Sequence, residues 1–104
     1  MPTKNVVQLL GLGQRAGQVA SGNFVVRVKI RKREAHLVIV AADAAGQTVK
    51  NFQRFARGTG IPVVVYGRKA ELGAALGRPP RAVAAVLDKS LAERILNLIR
   101  EGER

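Results

Sequence analysis

The sequence contains no cysteine and no tryptophan, one histidine, one tyrosine and three phenylalanines. Without cysteine there is no disulfide, no thiolate metal site and no cysteine nucleophile, which fits a reducing, cytoplasmic setting. The lone histidine, His36, excludes a histidine pair that could hold a metal or form a catalytic relay. The longest apolar runs, LVIVAA and IPVVVY, fall far short of the roughly 20 residues that a membrane span needs. The opening MPTKNVVQLL is followed by the polar Gln14 and Arg15, so no signal peptide is expected. Acid is the most telling scarcity. Seven Asp and Glu stand against 18 Lys and Arg, a formal net charge of +11.

Self-repulsion on this scale destabilises a compact chain unless a counter-charge meets it. Twelve of the cations are arginine, whose planar fork suits phosphate and base edges better than an ammonium does. A thermophilic or GC-rich origin would also raise arginine, but would more naturally bring glutamate with it. Nucleic acid is therefore the partner that composition favours. With 104 residues, 47% of them apolar, the chain is expected to bury a real core as one domain over residues 1–104.

What is present alternates between two kinds of pattern. From Asn5 to Ala16, Val6, Leu9, Leu10 and Gly13 recur at helical spacing, and Gly17 offers a stop. QVAS reads as a short extended link. LVIVAAD, IPVVVYG and AVAAVLD are continuous apolar runs of strand length, the signature of strands buried on both faces. GQTVKNFQRFARGTG gives a helix with Val49, Phe52 and Ala56 inward, an outward basic stripe of Lys50, Arg54 and Arg57, and Gly58 and Gly60 at its end. RKAELGAALG gives another, with Leu72 and Leu76 one turn apart. KSLAERILNLIR closes the chain with Ser90 as a candidate cap and Leu91, Ile95 and Leu98 inward. Buried strands alternating with amphipathic helices imply an α/β fold, a three-layer α/β/α sandwich around a small mixed, mostly four-stranded sheet.

The segment SGNFVVRVKIRKREAHL resists this reading. It packs Arg27, Lys29, Arg31, Lys32 and Arg33 into seven positions, with Glu34 the one acid. Phe24, Val26, Val28 and Ile30 alternate with Val25, Arg27, Lys29 and Arg31 at a strand's period, and the valines favour that assignment. Val26 and Ile30 are also one helical turn apart, with Ser21 placed as a cap. Local pattern leans to a strand and leaves the helix open.

Catalysis lacks its parts. GLGQRAG, Gly11 to Gly17, looks like a nucleotide loop, but no buried strand precedes it and a helical pattern runs through it, so glycines placed for close packing are the better reading. Asp43 and Asp88 stand at strand ends without a nucleophile or phosphate loop beside them, and helix capping is the expected job of each. No catalytic residue, metal ligand or cofactor site is assigned. Besides the segment above, cations gather along Lys50, Arg54 and Arg57 and around the stiff link RPPR at Arg78 and Arg81. Phe24, Phe52, Phe55 and Tyr66 mostly resemble core, which favours recognition of RNA shape and phosphate over base stacking.

The succession LLGLGQRAGQVASG, LVIVAADA, IPVVVYGRKAELGAALG and AVAAVLD resembles the kink-turn RNA-binding ribosomal-protein superfamily of the L-seven-Ae and L-thirty-e type, and within it the short bacterial YlxQ-like branch. The resemblance covers essentially the whole chain. It implies a helix after Gly22 in place of the strand, with Val26 and Ile30 anchoring it and its amino end entering the distorted groove of a kink-turn. It implies further that Gly22 opens this helix, that Asn23 contacts RNA, and that Lys32 meets the backbone, while Arg27, Lys29 and Arg31 would replace the charge of a family lysine that this chain lacks. Asp43 would help orient the helix, and the loop Gly77, Arg78, Pro79, Pro80, Arg81 would cover flipped-out bases. Where ribosomal members carry asparagine and glutamate to read tandem G·A pairs, this chain has Phe24 and Val25, and a family lysine one turn later is Val28. The partner implied is structured RNA, a kink-turn in rRNA or a regulatory mRNA, and with it the ribosome, bound by a monomer with no cofactor and no membrane. A non-specific ribosome-associated RNA coat protein and an adaptor docking an acidic protein partner are the alternatives.

Overall fold

The computed structural model describes residues 3–102. Met1 and Pro2, which open the segment read above for a leader, and the acid Glu103 lie outside the described residues. The elements in order are α1 (Lys4–Arg15), β1 (Val19–Ser21), α2 (Asn23–Arg31), β2 (Leu37–Val40), α3 (Gly46–Ala56), β3 (Val63–Val65), α4 (Lys69–Ala75), β4 (Val83–Val86) and α5 (Lys89–Gly102). The strands form one mixed sheet in the order β1-β4-β2-β3. β4 runs antiparallel to both β1 and β2, while β2 and β3 are parallel.

Strand alternation divides the core between the two faces of this sheet. Leu37 and Ile39 of β2, with Ala84 and Val86 of β4, face a cluster built by Val6, Leu9 and Leu10 of α1, Leu72 of α4, and Leu91, Ile95 and Ile99 of α5. Val38, Val40, Val83 and Ala85 face the other way, onto Val26 and Ile30 of α2 and Phe52 of α3. The result is the expected three-layer α/β/α sandwich. α1 comes unusually close to its neighbours: a Cβ on Gly13 would stand 2.6 Å from Leu91 Cδ2 and 2.9 Å from Val19 Cγ2. Close packing, and not a nucleotide, accounts for that glycine.

Three local expectations change. QVAS is not a mere link, because Val19, Ala20 and Ser21 pair with Val86, Ala85 and Ala84 as β1. IPVVVYG is not buried on both faces. β3 pairs only with β2 at the sheet's edge, and Val65 is 44% exposed. Third, α5 is capped by Asp88, whose Oδ2 accepts from the Leu91 N–H at 2.9 Å, and not by Ser90. Its inward residues are Leu91, Ala92, Ile95 and Ile99, with Leu98 only partly buried.

The segment after Gly22 is a helix, against the strand that its local pattern favours. A strand would bury Phe24, Val26, Val28 and Ile30 together. Instead only Val26 and Ile30 are buried, while Phe24 is 77% exposed. Gly22 ends β1 and opens α2 at φ 99 and ψ 148, a conformation essentially confined to glycine. Burying Val26 and Ile30 contributes about 1.5–3 kcal/mol each and anchors the helix on the sheet.

Candidate nucleic-acid interface

The strand register brings the carboxyl ends of β1, β2 and β3 to the same side of the sheet as the start of β4. Ser21 pairs with Ala84, and Val40 pairs with both Val83 and Val65. The segments that leave these ends are the head of α2, the turn through Asp43, the start of α4 and the loop into β4. A chain of hydrogen bonds ties them together. The Gly22 N–H donates to the Val83 carbonyl at 3.0 Å. Arg81 Nε donates to Ser21 Oγ at 3.2 Å, so Ser21 serves the loop and does not cap α2. The Arg81 N–H donates to the Lys69 carbonyl at 3.0 Å, and the Lys69 N–H in turn donates to Asp43 Oδ1 at 2.8 Å.

Asp43 is thus a cap, as its position at a strand end implied, but for α4, which begins 26 residues later in the chain. Its described partners, Arg68 and Lys69, lie at the start of α4 and not in α2, so any orientation of α2 by Asp43 is relayed through Lys69 and Arg81. Arg68 stands 3.6 Å from its other oxygen. The hydrogen bond from the Lys69 backbone is the main cause of an Asp43 pKa below the ordinary 3.8, with the charges of Arg68 and Lys69 assisting and partial desolvation opposing. The start of α4 also has its own acid, because the Arg68 N–H donates to Glu71 Oε1 at 2.9 Å.

The loop Gly77 to Arg81 is anchored on the same helix. The Arg78 N–H donates to the Gly73 carbonyl at 2.8 Å, and Gly77 takes φ 65 to turn the chain. Any Cβ on Gly73 would collide with the Pro79 carbonyl, so α4 and the loop pack backbone to backbone. Arg78, Pro79 and Pro80 are exposed, and Arg81 is half-buried by its bond to Ser21.

Of the residues singled out from the sequence, Gly22, Asp43 and Arg81 join this hydrogen-bonded cluster, with Gly77, Arg78, Pro79 and Pro80 beside it and Asn23 next to Gly22. Arg27 lies one turn along α2. Arg31 and Lys32 stand at the opposite end of the helix, about 13 Å away at 1.5 Å per residue, both exposed. Arg33, at φ 57, turns the chain there, its N–H bonded to the Ile30 carbonyl. The cations form a ridge running from the cluster along α2, not a ring around its head.

Sequence reasoning missed Arg68 and Lys69, although a basic pair directly after a strand end was the signal available. It also missed an aromatic surface. Phe24 is solvent-exposed, and Phe55 is half-buried with the Arg27 guanidinium 4.4 Å above its ring. Neither α2 nor α3 contains an acid, whereas they carry Arg27, Lys29, Arg31, Lys50 and Arg54. Among the described residues the ion pairs are Lys29–Glu34, at 3.4 Å, and Arg68–Asp43. Among the described residues, Arg27, Arg31, Lys50 and Arg54 on this face have no acidic partner.

Several known proteins resemble the chain in sequence and fold. The chain is 34% identical over 91 residues to the RNA-binding protein YlxQ of Bacillus subtilis, covering 88% of this chain and 91% of that one. It is 36% identical over 88 residues to the large ribosomal subunit protein eL30 of Pyrobaculum islandicum, covering 83% and 86%. A solved structure from Bacillus halodurans, of a protein of unknown function, matches with a TM-score of 0.90 at 32% identity, over 94% of this chain and 99% of that one. The 15.5 kD RNA binding protein of Giardia lamblia has the same fold, with a TM-score of 0.80 at 22% identity over 97% of this chain and 92% of its own. The sequence pattern of the ribosomal protein L7Ae/L30e/S12e/Gadd45 family matches residues 4–96, and the chain belongs to that family as a YlxQ-like member.

Proposed function

We propose that the chain, acting as one unit over residues 1–104 and as a single copy, binds structured RNA of the kink-turn type in rRNA or a regulatory mRNA. It does so without catalysing a reaction on that RNA. The observation that carries this reading is the hydrogen-bonded convergence of Gly22, Arg81, Lys69 and Asp43, which fixes the head of α2 against the Gly77–Arg81 loop. A helix end held rigidly beside a proline-stiffened loop suits a sharply bent backbone better than a straight duplex. The cation ridge of α2, through Arg27, Arg31 and Lys32, offers phosphate contacts along one arm of the bend. RNA-binding relatives of the same family support the partner class. Phe24 and Val25 at the head of α2 carry no hydrogen-bonding group for G·A edges. Recognition therefore rests on shape and phosphate position.

The deciding experiment is a competition titration between a kink-turn hairpin and a plain duplex of equal length at physiological salt. A preference of about tenfold or more for the kink-turn is expected. Equal affinities would reject the kink-turn reading and leave a non-specific RNA coat.

A further inference from the structure

α2 and α3 do not close on one another. Between them lies an open groove of about 320 Å³, lined in part by Asn23, Phe24, Arg27, Asn51, Phe52 and Phe55. Its contents are unusual for a surface otherwise dominated by charge. Phe24, at 77% exposure, is the most exposed large apolar side chain among the described residues. Arg27 is held in place, with its guanidinium 4.4 Å from the centroid of Phe55, and Phe55 meets Phe52 edge-on at 5.4 Å.

Asn51 gives the groove a hydrogen-bonding direction. Its Oδ1 accepts from Gln47 Nε2 at 2.9 Å and from Arg54 Nη2 at 3.0 Å. Arginine can only donate, so the carbonyl end of Asn51 must face it and the amide end must face away. None of the described residues accepts from that Nδ2. The groove therefore offers a flat apolar surface, a fixed guanidinium and two amide donors, and no acid lines it.

We infer that the groove between α2 and α3 is a receptor for one unpaired nucleobase of a bound RNA, stacked on Phe24 and Arg27 and donated to by Asn51 Nδ2. This rests on the RNA-binding reading and extends it to a position separate from the Gly77–Arg81 loop. Stacking on an aromatic ring or a guanidinium plane is how unpaired bases are commonly held. A donor-only amide selects a base with a carbonyl or ring-nitrogen acceptor on the edge turned inward. Arg54, whose Nη2 bonds Asn51 Oδ1 at 3.0 Å, adds positive charge beside the groove for a neighbouring phosphate. An acidic peptide would satisfy those charges but leave Phe24 in water.

The test uses hexauridylate and an abasic hexamer of the same backbone charge, with binding read by fluorescence anisotropy on the full-length chain. The wild type is expected to bind hexauridylate at least about fivefold more tightly than the abasic hexamer. Phe24→Ala should reduce that ratio to within twofold of one, and Asn51→Ala should lower it partially. Phe24 is exposed, so thermal unfolding of its variant should match the wild type. A wild-type ratio near one, a ratio unchanged in Phe24→Ala, or equal displacement of hexauridylate by a hexaglutamate peptide would each overturn the assignment. A wild type that binds the kink-turn hairpin but not the base would sink the groove alone. Binding of no RNA would sink the underlying reading as well.

Discussion

The two faces of the sheet are built to different specifications. The face covered by α1, α4 and α5 draws on fifteen buried apolar residues, and the face covered by α2 and α3 on eight. Charge runs the opposite way. The three helices of the rich face carry Glu71, Glu93 and Glu101 among their cations, while α2 and α3 have five cations and no acid. The comparison teaches that stability is concentrated on one layer, and that the other layer can carry unbalanced charge because it is not asked to hold the molecule together alone. A helix whose core contribution is Val26 and Ile30 has most of its circumference left for solvent or a ligand.

The largest break in this comparison should come from Ile95→Ala, which empties a fully buried site on the rich face. A loss of about 2–5 kcal/mol is expected from urea denaturation, with RNA affinity of the remaining folded fraction unchanged. The double variant Arg31→Ala, Lys32→Ala should do the reverse. Both residues are exposed, so stability should move by no more than about 0.5 kcal/mol. Affinity for the kink-turn hairpin should fall, and the slope of log affinity against log salt should shrink by about 2. If affinity and slope are both unchanged, the ridge along α2 is not a phosphate surface. The smallest effect concerns Asp43. Its carboxyl is held below the ordinary 3.8, so its contribution to stability is complete above that value and is lost as pH falls through the lowered one. Asp43→Asn, which keeps an acceptor for the Lys69 N–H but removes the charge, should lower stability slightly at neutral pH, converge with the wild type in acid, and so make the acid limb of a stability–pH profile shallower. An unchanged acid limb would show that the cap contributes nothing to pH dependence.

Much of the rich face was legible in the amino-acid order. LVIVAAD and AVAAVLD read as doubly buried strands, and they are β2 and β4, the two central strands. IPVVVYG has the same composition but lies at the edge, because strand order is set by pairing and not by any feature of the strand itself. The α2 segment was ambiguous since Val26 and Ile30 satisfy periods of two and of four alike. Family resemblance, not periodicity, selected the helix.

At the candidate site, individual residues could be named but their connections could not. Asp43 and Lys69 are 26 positions apart, and Ser21 and Arg81 are 60 apart, so neither bond has a local signature. Phenylalanine is usually buried, so nothing in the sequence sets Phe24 apart from Phe52 and Phe55. Only the rotation of α2 on Val26 and Ile30 decides that it points to water.

The sheet order has one more consequence, for how the molecule comes into being. Among the described residues, β4 is the last strand and the one that pairs with β1, and it also supplies the carbonyl that holds the Gly22 N–H. Until residues 83–86 have been synthesised, β1 has nowhere to dock and the opening of α2 has no fixed position. A nascent chain would therefore display its arginine-rich helix before that helix can be aimed, and recognition would switch on late, in step with closure of the sheet.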